Sequence, residues 1–223
     1  IGDAMFLGRS LEKLLASKVK MVFTSNIKPS DLYMGGLQRK SFLSAISAIE
    51  NHCEIICLES VTDYRLRELE KSGIYFSPID SEKMSSFNKL FQQLSKGANS
   101  GQSTIDILGR KIAFEDSAND IIHFSADVIF NSPRSSSDYN ELSREFHTIF
   151  ISNLNVIDEE DTARRFIAFI DECYDRNVKV IFLSNPLPHE IYTGKRLADK
   201  FQRTLSRLTE MQSNDYLQGG HKG

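Results

Sequence analysis

Asn26 is the first residue of this chain whose type and position could carry chemistry. It follows the apolar run 19–23 and closes the sequence Thr24-Ser25-Asn26. If that run is a buried parallel strand, Asn26 lies at its carboxyl end, where the ligands of parallel sheets gather. Its amide could there hold a water or a phosphate oxygen. A polar turn residue that only caps the loop is the alternative, and spacing alone leaves both open.

Arg39 is the second candidate, at the start of a predicted helix. The apolar side of that helix is formed by Leu37, Phe42, Ile46 and Ile49. Arg39 is therefore expected to point away from its own core. A planar guanidinium in this position suits a phosphate on a neighbouring subunit. A solvated surface arginine is the alternative.

Two segments resemble nucleotide-binding motifs but lack residues that those motifs require. The chain contains no Gly-x4-Gly-Lys-Ser/Thr sequence, and the glycine-rich stretch 97–103 is one residue short and has no lysine to reach phosphates. Asp158-Glu159, after Val156-Ile157, resembles an apolar strand that ends in an acidic pair. The preferred interpretation is an acidic first turn that stabilises a helix opening near Asp161.

The sequence favours structural roles for the cysteines and histidines. His52, Cys53 and Cys57 lie close together, but four well-placed metal ligands are absent. Three cysteines without regular spacing are typical of a reducing compartment. His123 and His147 have no visible serine or cysteine partner for a catalytic triad.

Composition narrows the function classes. The net charge of −3, from 27 basic and 30 acidic residues, gives no bulk attraction to nucleic acid or anionic lipid. No apolar run approaches the roughly 18 residues of a membrane span. The chain starts at Ile1 without an initiator methionine or a signal peptide, so we interpret it as a piece of a longer protein.

The elements that would position these residues alternate between helices and buried strands. Amphipathic spacing predicts a helix ending near Phe146 and helices over 3–18, 37–51, 63–71, 81–96, 160–176 and 195–212. Apolar runs predict a hairpin over 105–114 and strands over 19–23, 54–58, 121–124, 148–151 and 178–183. This alternation indicates a parallel sheet between helical layers. Residues 218–223 are predicted to be disordered.

The two ends of the chain match each other without a gap when residues 3–50 are aligned with 162–209. Identical pairs include Lys20/Lys179, Asn26/Asn185 and Pro29/Pro188. Both ends are therefore predicted to build a helix, a strand, a Ser-Asn turn, a loop and a second helix. In particular, Asn185 is expected to follow a strand as Asn26 does. Duplication and a shared strand–helix pattern both remain open.

The block Thr24-Ser25-Asn26 and the sequence Gly36-Leu37-Gln38-Arg39 together resemble a known family. They are similar to the sensor-1 strand and the arginine-finger loop of ZapE-type (AFG-like) AAA+ ATPases. The run 203–213 is similar to the C-terminal sequence of the same family. The resemblance covers most of the chain, although residues 72–135 match poorly and carry nothing over.

The resemblance implies ATP binding and hydrolysis with Mg²⁺ in a homo-oligomeric ring. Asn26 would be sensor 1, which polarises the water at the γ-phosphate, and Arg39 would be the finger acting in trans. Residues for the phosphates and Mg²⁺ are expected upstream of Ile1. Candidate nucleotide or inter-subunit arginines, one of them a possible sensor 2, are Arg164, Arg165, Arg203 and Arg207. Salt bridges of these arginines to Asp158–Asp161 or Glu210 are the alternative.

The predicted fold class is α/β. It comprises part of an AAA+ P-loop core over 1–65, a connecting region with a small β-containing insertion over 66–145, and a C-terminal α/β segment over 146–223. The predicted function is an ATPase that remodels protein partners without binding nucleic acid, in the cytoplasm for bacterial cell division or in mitochondria for protein quality control. The rival is a non-hydrolytic α/β adaptor. A Gly-x4-Gly-Lys-Thr motif in upstream sequence would favour the ATPase.

Overall fold

The computed structural model describes residues 10–11, 13–15, 17, 20–25, 27–32, 39–56, 64–96 and 101–222. The chain divides into two compact units, Ile1–Ser60 and Val61–Gly223. Among the helices described, none is both long and apolar enough to cross a membrane.

A five-stranded sheet forms the centre of the second unit. Its strands lie side by side in the order β1-β7-β6-β5-β4, and all are parallel except β4, which runs antiparallel to β5. The strands are β1 (Tyr75–Phe76), β4 (Asp116–Ala118), β5 (Ile121–Ser125), β6 (Thr148–Leu154) and β7 (Lys179–Ser184). β2 (Ser103–Ile107) and β3 (Arg110–Phe114) form the predicted hairpin. The predicted α/β class with a mainly parallel sheet is confirmed.

Helices follow the amphipathic segments closely. The first unit contains α1 (Leu43–His52), and the second contains α2 (Tyr64–Ser72), α3 (Ser81–Ser95), α4 (Ala126–Phe130), α5 (Ser136–Glu145), α6 (Glu160–Asp175), α7 (Ala198–Met211) and α8 (Asn214–Gln218). The start of α3 shows why a boundary falls where it does. The carboxylate of Asp80 accepts a hydrogen bond from the backbone N–H of Lys83 at 2.7 Å and so caps the first turn.

Aromatic side chains attach helices to both faces of the sheet. From α3, Phe87 and Phe91 each meet Phe150 of β6 edge-to-face, with ring centroids 5.1 Å apart. On the opposite face, Phe166 of α6 lies 6.0 Å from Phe182 of β7. The sheet is therefore the middle layer of three, which explains why all residues of β7 are buried.

The first unit differs from the prediction at its strands. The described residues 20–23 and 54–56 are not paired as strands, and the side chains of Val22 and Ile56 are 94% and 71% exposed. A strand in a parallel sheet needs neighbours that bond its backbone and cover its side chains. The described part of this unit supplies no such neighbour, so the apolar composition alone was not sufficient.

Helical predictions in the first unit are confirmed where the structure describes them. Residues 10–11 and 13–15 are helical. A 3-10 helix, Arg39–Phe42, leads directly into α1. Phe42, Ala45 and Ile46 are buried there, with Leu11 and Leu32 packed against them. The predicted inward residue Leu37 lies outside the described residues.

The internal repeat is visible in local structure. A 3-10 helix forms at Pro29–Asp31 and again at Pro188–Glu190, at the same offset in the alignment. The helical stretch Arg39–His52 has its counterpart in Ala198–Met211, with both ends matching. As predicted, Asn185 directly follows β7. Asn26 lies outside the described residues, and its preceding segment remains unpaired.

The prediction of a disordered C-terminal tail is wrong for the described residues. The ammonium group of Lys179 donates to the carbonyl of Gly219 at 2.9 Å, and the Asn177 amide donates to that of Gly220 at 3.2 Å. The backbone N–H of Lys222 donates to Arg176 at 2.9 Å. A polar tail becomes ordered here because buried donors on the body of the unit require its carbonyls.

Candidate functional site

Of the two principal candidates, Asn26 lies outside the described residues. Its neighbours form a turn in which the Ser25 hydroxyl donates to the Ile27 carbonyl at 2.8 Å and accepts from the Ile27 N–H at 3.2 Å. A serine that bonds the backbone two residues ahead is typical of a tight turn.

Arg39 opens the 3-10 helix before α1, and the residue is half-buried. Nη2 donates to the carbonyl of Ser30 at 2.5 Å, and Nε donates to that of Leu32 at 3.4 Å. The expectation of a side chain directed freely outward is therefore not met, since one edge of the group is bound to its own loop. Within the described residues Nη1 has no partner, so its two N–H groups remain for a ligand.

Two of the four C-terminal arginines hold the fold together. Arg207 on α7 pairs with Asp171 and, at 3.5 Å, with Asp175, and only 11% of its side chain is exposed. These carboxylates are one turn apart on α6, which explains why they are its partners rather than the acidic residues expected from the sequence. On α6, Nε of Arg165 donates to the carbonyl of Phe130 at 2.6 Å.

Arg164 and Arg203 are different, because both are exposed. In the part of the chain that the structure describes, neither makes a hydrogen bond or an ion pair. None of the four arginines lines the cleft at the carboxyl ends of β5 and β6. They do not converge on one pocket in this unit.

That cleft is a concave surface that the sequence did not indicate as a site. Its volume is about 380 Å³. Its polar lining is Asp127, Asn131, Asn153, Asn155, Asp158, Glu159 and Thr162. Asp127, two residues after β5, and Asn155, directly after β6, were the available signal. With three carboxylates and no lysine or arginine among its lining residues, it would repel phosphate groups.

The helix interpretation of Asp158-Glu159 is confirmed. Ile157 makes only an isolated bridge with Tyr192, and α6 begins at Glu160 with acidic residues in its first turn. The carboxylate of Glu160 also binds Arg196 at 3.1 Å. These residues therefore act at a helix start and not at the end of a central strand.

Among the described residues, no group of three His, Cys, Asp or Glu side chains is arranged to hold a metal ion. Cys57 lies outside the described residues. Burial raises the pKa of the Cys173 thiol well above its usual value, as expected for a structural thiol.

The histidines have hydroxyl partners that the sequence did not reveal. His123 Nε2 lies 2.9 Å from Ser152 Oγ, and His147 Nδ1 lies 2.8 Å from Thr148 Oγ1. Ser152 is only 7% exposed and does not line the cleft. A nucleophile must be reachable by substrate, so the structural interpretation of His123 stands.

Comparison with known proteins identifies the family. The model of the AFG1-like ATPase family matches residues 1–219. The chain belongs to the AFG1-like ATPase family. This AFG1-like chain is 41% identical over 223 residues to the cell division protein ZapE of Escherichia coli K12, which covers 99% of the chain and 60% of that relative. It is 30% identical over 259 residues to lactation elevated protein 1 homolog B of Danio rerio, covering 100% of the chain and 52% of that relative.

The chain thus spans between half and three fifths of the length of these two curated relatives. No solved structure matches it. The family is named for ATPase activity, and the residues present fit only part of a nucleotide site. Arg39 offers donors suited to phosphate oxygens, whereas the 223 residues include no phosphate-binding loop.

Proposed function

We propose that this chain is the part of an AAA+ ATPase that carries sensor 1 and the arginine finger of a homo-oligomeric ring. The observation that carries the proposal is the geometry of Arg39. Its Nε and Nη2 edge is bound to backbone carbonyls, and Nη1 keeps donors for a ligand. An arginine that stabilises charge on another subunit's phosphate must be both fixed and incompletely satisfied.

Asn26 takes the complementary role in its own subunit, where its amide orients the attacking water. ATP and Mg²⁺ are held by residues beyond this chain, and bound Mg²⁺ neutralises charge that develops on the phosphates. Arg164 and Arg203 are the preferred sensor-2 candidates, because Arg165 and Arg207 are already engaged within the folded unit.

We assign the domains as a partial AAA+ core over 1–65, a connecting region over 66–145 and a C-terminal segment over 146–223. The energy of hydrolysis drives remodelling of protein partners. Because a relative bears the name cell division protein ZapE, the proposed setting is the division machinery in a bacterial cytoplasm. Mitochondrial protein quality control is the corresponding role if the chain is eukaryotic.

The test measures ATP hydrolysis by the full-length protein. We expect Arg39→Ala to lower kcat by about 10³ while ATP still binds. Asn26→Ala should lower kcat far more than ATP affinity, since it acts mainly on the transition state. Lys40→Ala changes the exposed basic residue next to Arg39, and Asn51→Ala changes an exposed asparagine of α1; both serve as controls.

The 223-residue chain alone should show no turnover, because it lacks a phosphate-binding loop. If the 223-residue chain alone hydrolysed ATP and Asn26→Ala abolished that activity, the proposal that phosphate-binding residues lie outside this chain would be contradicted. A kcat unchanged by both Asn26→Ala and Arg39→Ala would remove these two residues from the site. A full-length protein that does not hydrolyse ATP at all would instead support the non-hydrolytic adaptor.

A further inference from the structure

We propose that the 3-10 turn Pro29–Asp31 is the positioning element of Arg39, an inference that rests on the proposed function. The turn and the residue after it supply both carbonyls that bind the guanidinium, from Ser30 at 2.5 Å and Leu32 at 3.4 Å. These two contacts occupy Nη2 and Nε, on one edge of a planar group. They therefore fix the direction in which Nη1 projects.

The turn is stiff enough for this task. Pro29 occupies its first turn, where the ring fixes φ and no N–H is lost from a hydrogen bond. The backbone N–H groups of Asp31 and Leu32 donate to Lys28 at 2.9 Å and to Pro29 at 3.2 Å. The Ser30 carbonyl thus lies within a closed turn, and the Leu32 carbonyl belongs to the residue that directly follows it.

The turn is also attached to the helix that carries Arg39. The side chain of Leu32 packs against the buried cluster of Phe42, Ala45 and Ile46. Arg39 and Phe42 are the two ends of one 3-10 helix, so the donor and its acceptors share a single packed unit. Loosening the turn would allow the guanidinium to rotate without unfolding α1.

The second copy of the repeat provides an internal comparison. Its turn is closed in the same way, since Glu190 donates to Leu187 at 2.9 Å and Ile191 donates to Pro188 at 3.5 Å. Ile191 corresponds to Leu32, and its carbonyl accepts from the backbone N–H of Ile157 at 2.6 Å. The position of Arg39 is taken there by Ala198.

In both copies the carbonyl of the residue after this turn therefore accepts from a donor in another part of the chain. In the second copy that donor is backbone, and the contact joins two loops. In the first copy the donor is the guanidinium of Arg39, so the same kind of turn positions a charged side chain. The two turns share the same pattern of backbone hydrogen bonds and differ in the donor that each receives, which supports a positional role for the first turn.

The experiment is a double-mutant cycle on ATP hydrolysis by the full-length protein. Pro29→Gly frees the backbone of the turn, and Leu32→Ala removes its attachment to the helix. Each is expected to lower kcat at least about tenfold and leave the Kd for ATP within about twofold, since a misdirected catalytic group costs rate rather than ground-state binding. Leu43→Ala, at an apolar residue of α1 that is 43% exposed, is the matched control.

The deciding measurement combines each change with Arg39→Ala. If the turn acts through Arg39, the double variants hydrolyse ATP no more slowly than Arg39→Ala alone. A further loss of the same size in the double variants, or unchanged kcat in both single variants, would overturn the positioning role while leaving the finger intact. If Arg39→Ala itself hydrolyses normally, the finger assignment fails, and the positioning role fails with it.

Discussion

At the scale of single residues, His123 shows how a side chain that suggests chemistry can serve packing. Its ring lies among those of Phe87, Phe91 and Phe150, with centroids 5.3, 6.0 and 6.5 Å away. Burial in this cluster lowers the pKa of His123 to about 4, although the nearby carboxylates of Glu115 and Asp116 act in the opposite direction. The imidazole is therefore neutral at physiological pH.

This neutral histidine predicts acid sensitivity of folding. Below its unfolded pKa of 6.5 the unfolded chain binds a proton that the folded protein does not bind until about pH 4. The stability contribution is thus present above pH 6.5 and is lost as the pH falls toward 4, by roughly 3 kcal/mol at most. Urea unfolding between pH 4.5 and 7.5 measures the slope.

His123→Phe is expected to flatten that slope, because the aromatic packing stays and the titrating group is removed. His189→Gln, at an exposed histidine of the 3-10 turn 188–190, should leave it unchanged. Equal slopes for His123→Phe and the unmodified protein would mean that the cluster does not keep the imidazole neutral.

Residue types in the sequence indicated Asn26 and Arg39 but not the partners of the other arginines. Arg207 was a candidate nucleotide arginine, with a salt bridge to Glu210 or to the acidic start of α6 as the alternative. It pairs with Asp171 and Asp175 instead. The choice depends on which sides of α6 and α7 meet, and periodicity within one helix does not specify that. The cleft at the carboxyl ends of β5 and β6 was missed for the same reason, since its lining joins two separate stretches of the chain, 126–131 and 153–162.

At the scale of elements, a buried lysine is among the residues that attach residues 214–222 to the rest of the second unit. Lys179, at the start of β7, is 1% exposed, and its ammonium group donates to the carbonyls of Tyr216, Gly219 and Asn177 at 2.7, 2.9 and 3.2 Å. The ammonium also lies 4.8 Å from the centre of the Tyr216 ring. A buried charge is tolerated here because several acceptors surround it.

Lys179→Met should therefore destabilise the chain by roughly 3 kcal/mol or more, since buried carbonyls lose their donor. Hydrogen exchange of the amides over 214–222 should accelerate more than that of β5 or β6, because the loss begins at the attached segment. Lys200→Met removes an exposed lysine of α7 and is the control.

A stability loss for Lys179→Met no larger than that of Lys200→Met would show that the tail is held by other contacts. If hydrogen exchange accelerated equally at all amides, residues 214–222 would not open separately from the rest of the unit.

Periodicity identified most elements, including α3, α6 and the hairpin β2–β3, because each satisfies its pattern locally. The short edge strands β1 and β4 were missed, since two or three residues are too few to show an alternation. Residues 20–23 illustrate the opposite limit. Their apolar run predicts a strand, but strand formation depends on neighbouring strands, and the described part of the first unit provides none.

At the scale of the whole molecule, the two ends share local structure but differ in what surrounds it. The turn and helix recur with matching bounds. The second copy contributes β7 to a sheet, whereas the residues of the first copy that the structure describes contribute no strand. Local sequence therefore determines the turn and the helix, and non-local partners determine the strand. Within the proposed function, the first copy would serve chemistry and the second would serve the stability of the sheet.

The last prediction concerns assembly. If Arg39 acts on the nucleotide of a neighbour, hydrolysis requires an intact finger on one chain and an intact phosphate-binding loop on the next. Head-to-tail packing of identical subunits repeats the same interface around a closed ring. Full-length Arg39→Ala should therefore bind ATP and assemble but hydrolyse poorly, and a variant with a disabled phosphate-binding loop should also be inactive.

Equal mixing of these two inactive proteins restores functional pairs. An interface works only when the finger donor and the loop donor are both intact, each with a probability of one half, so about a quarter of the interfaces should be active in a randomly mixed ring. Activity near that fraction of the unmodified level, rising as subunits exchange, is the expected result. If labelled subunits are shown to exchange and the mixture stays inactive, Arg39 does not act between chains.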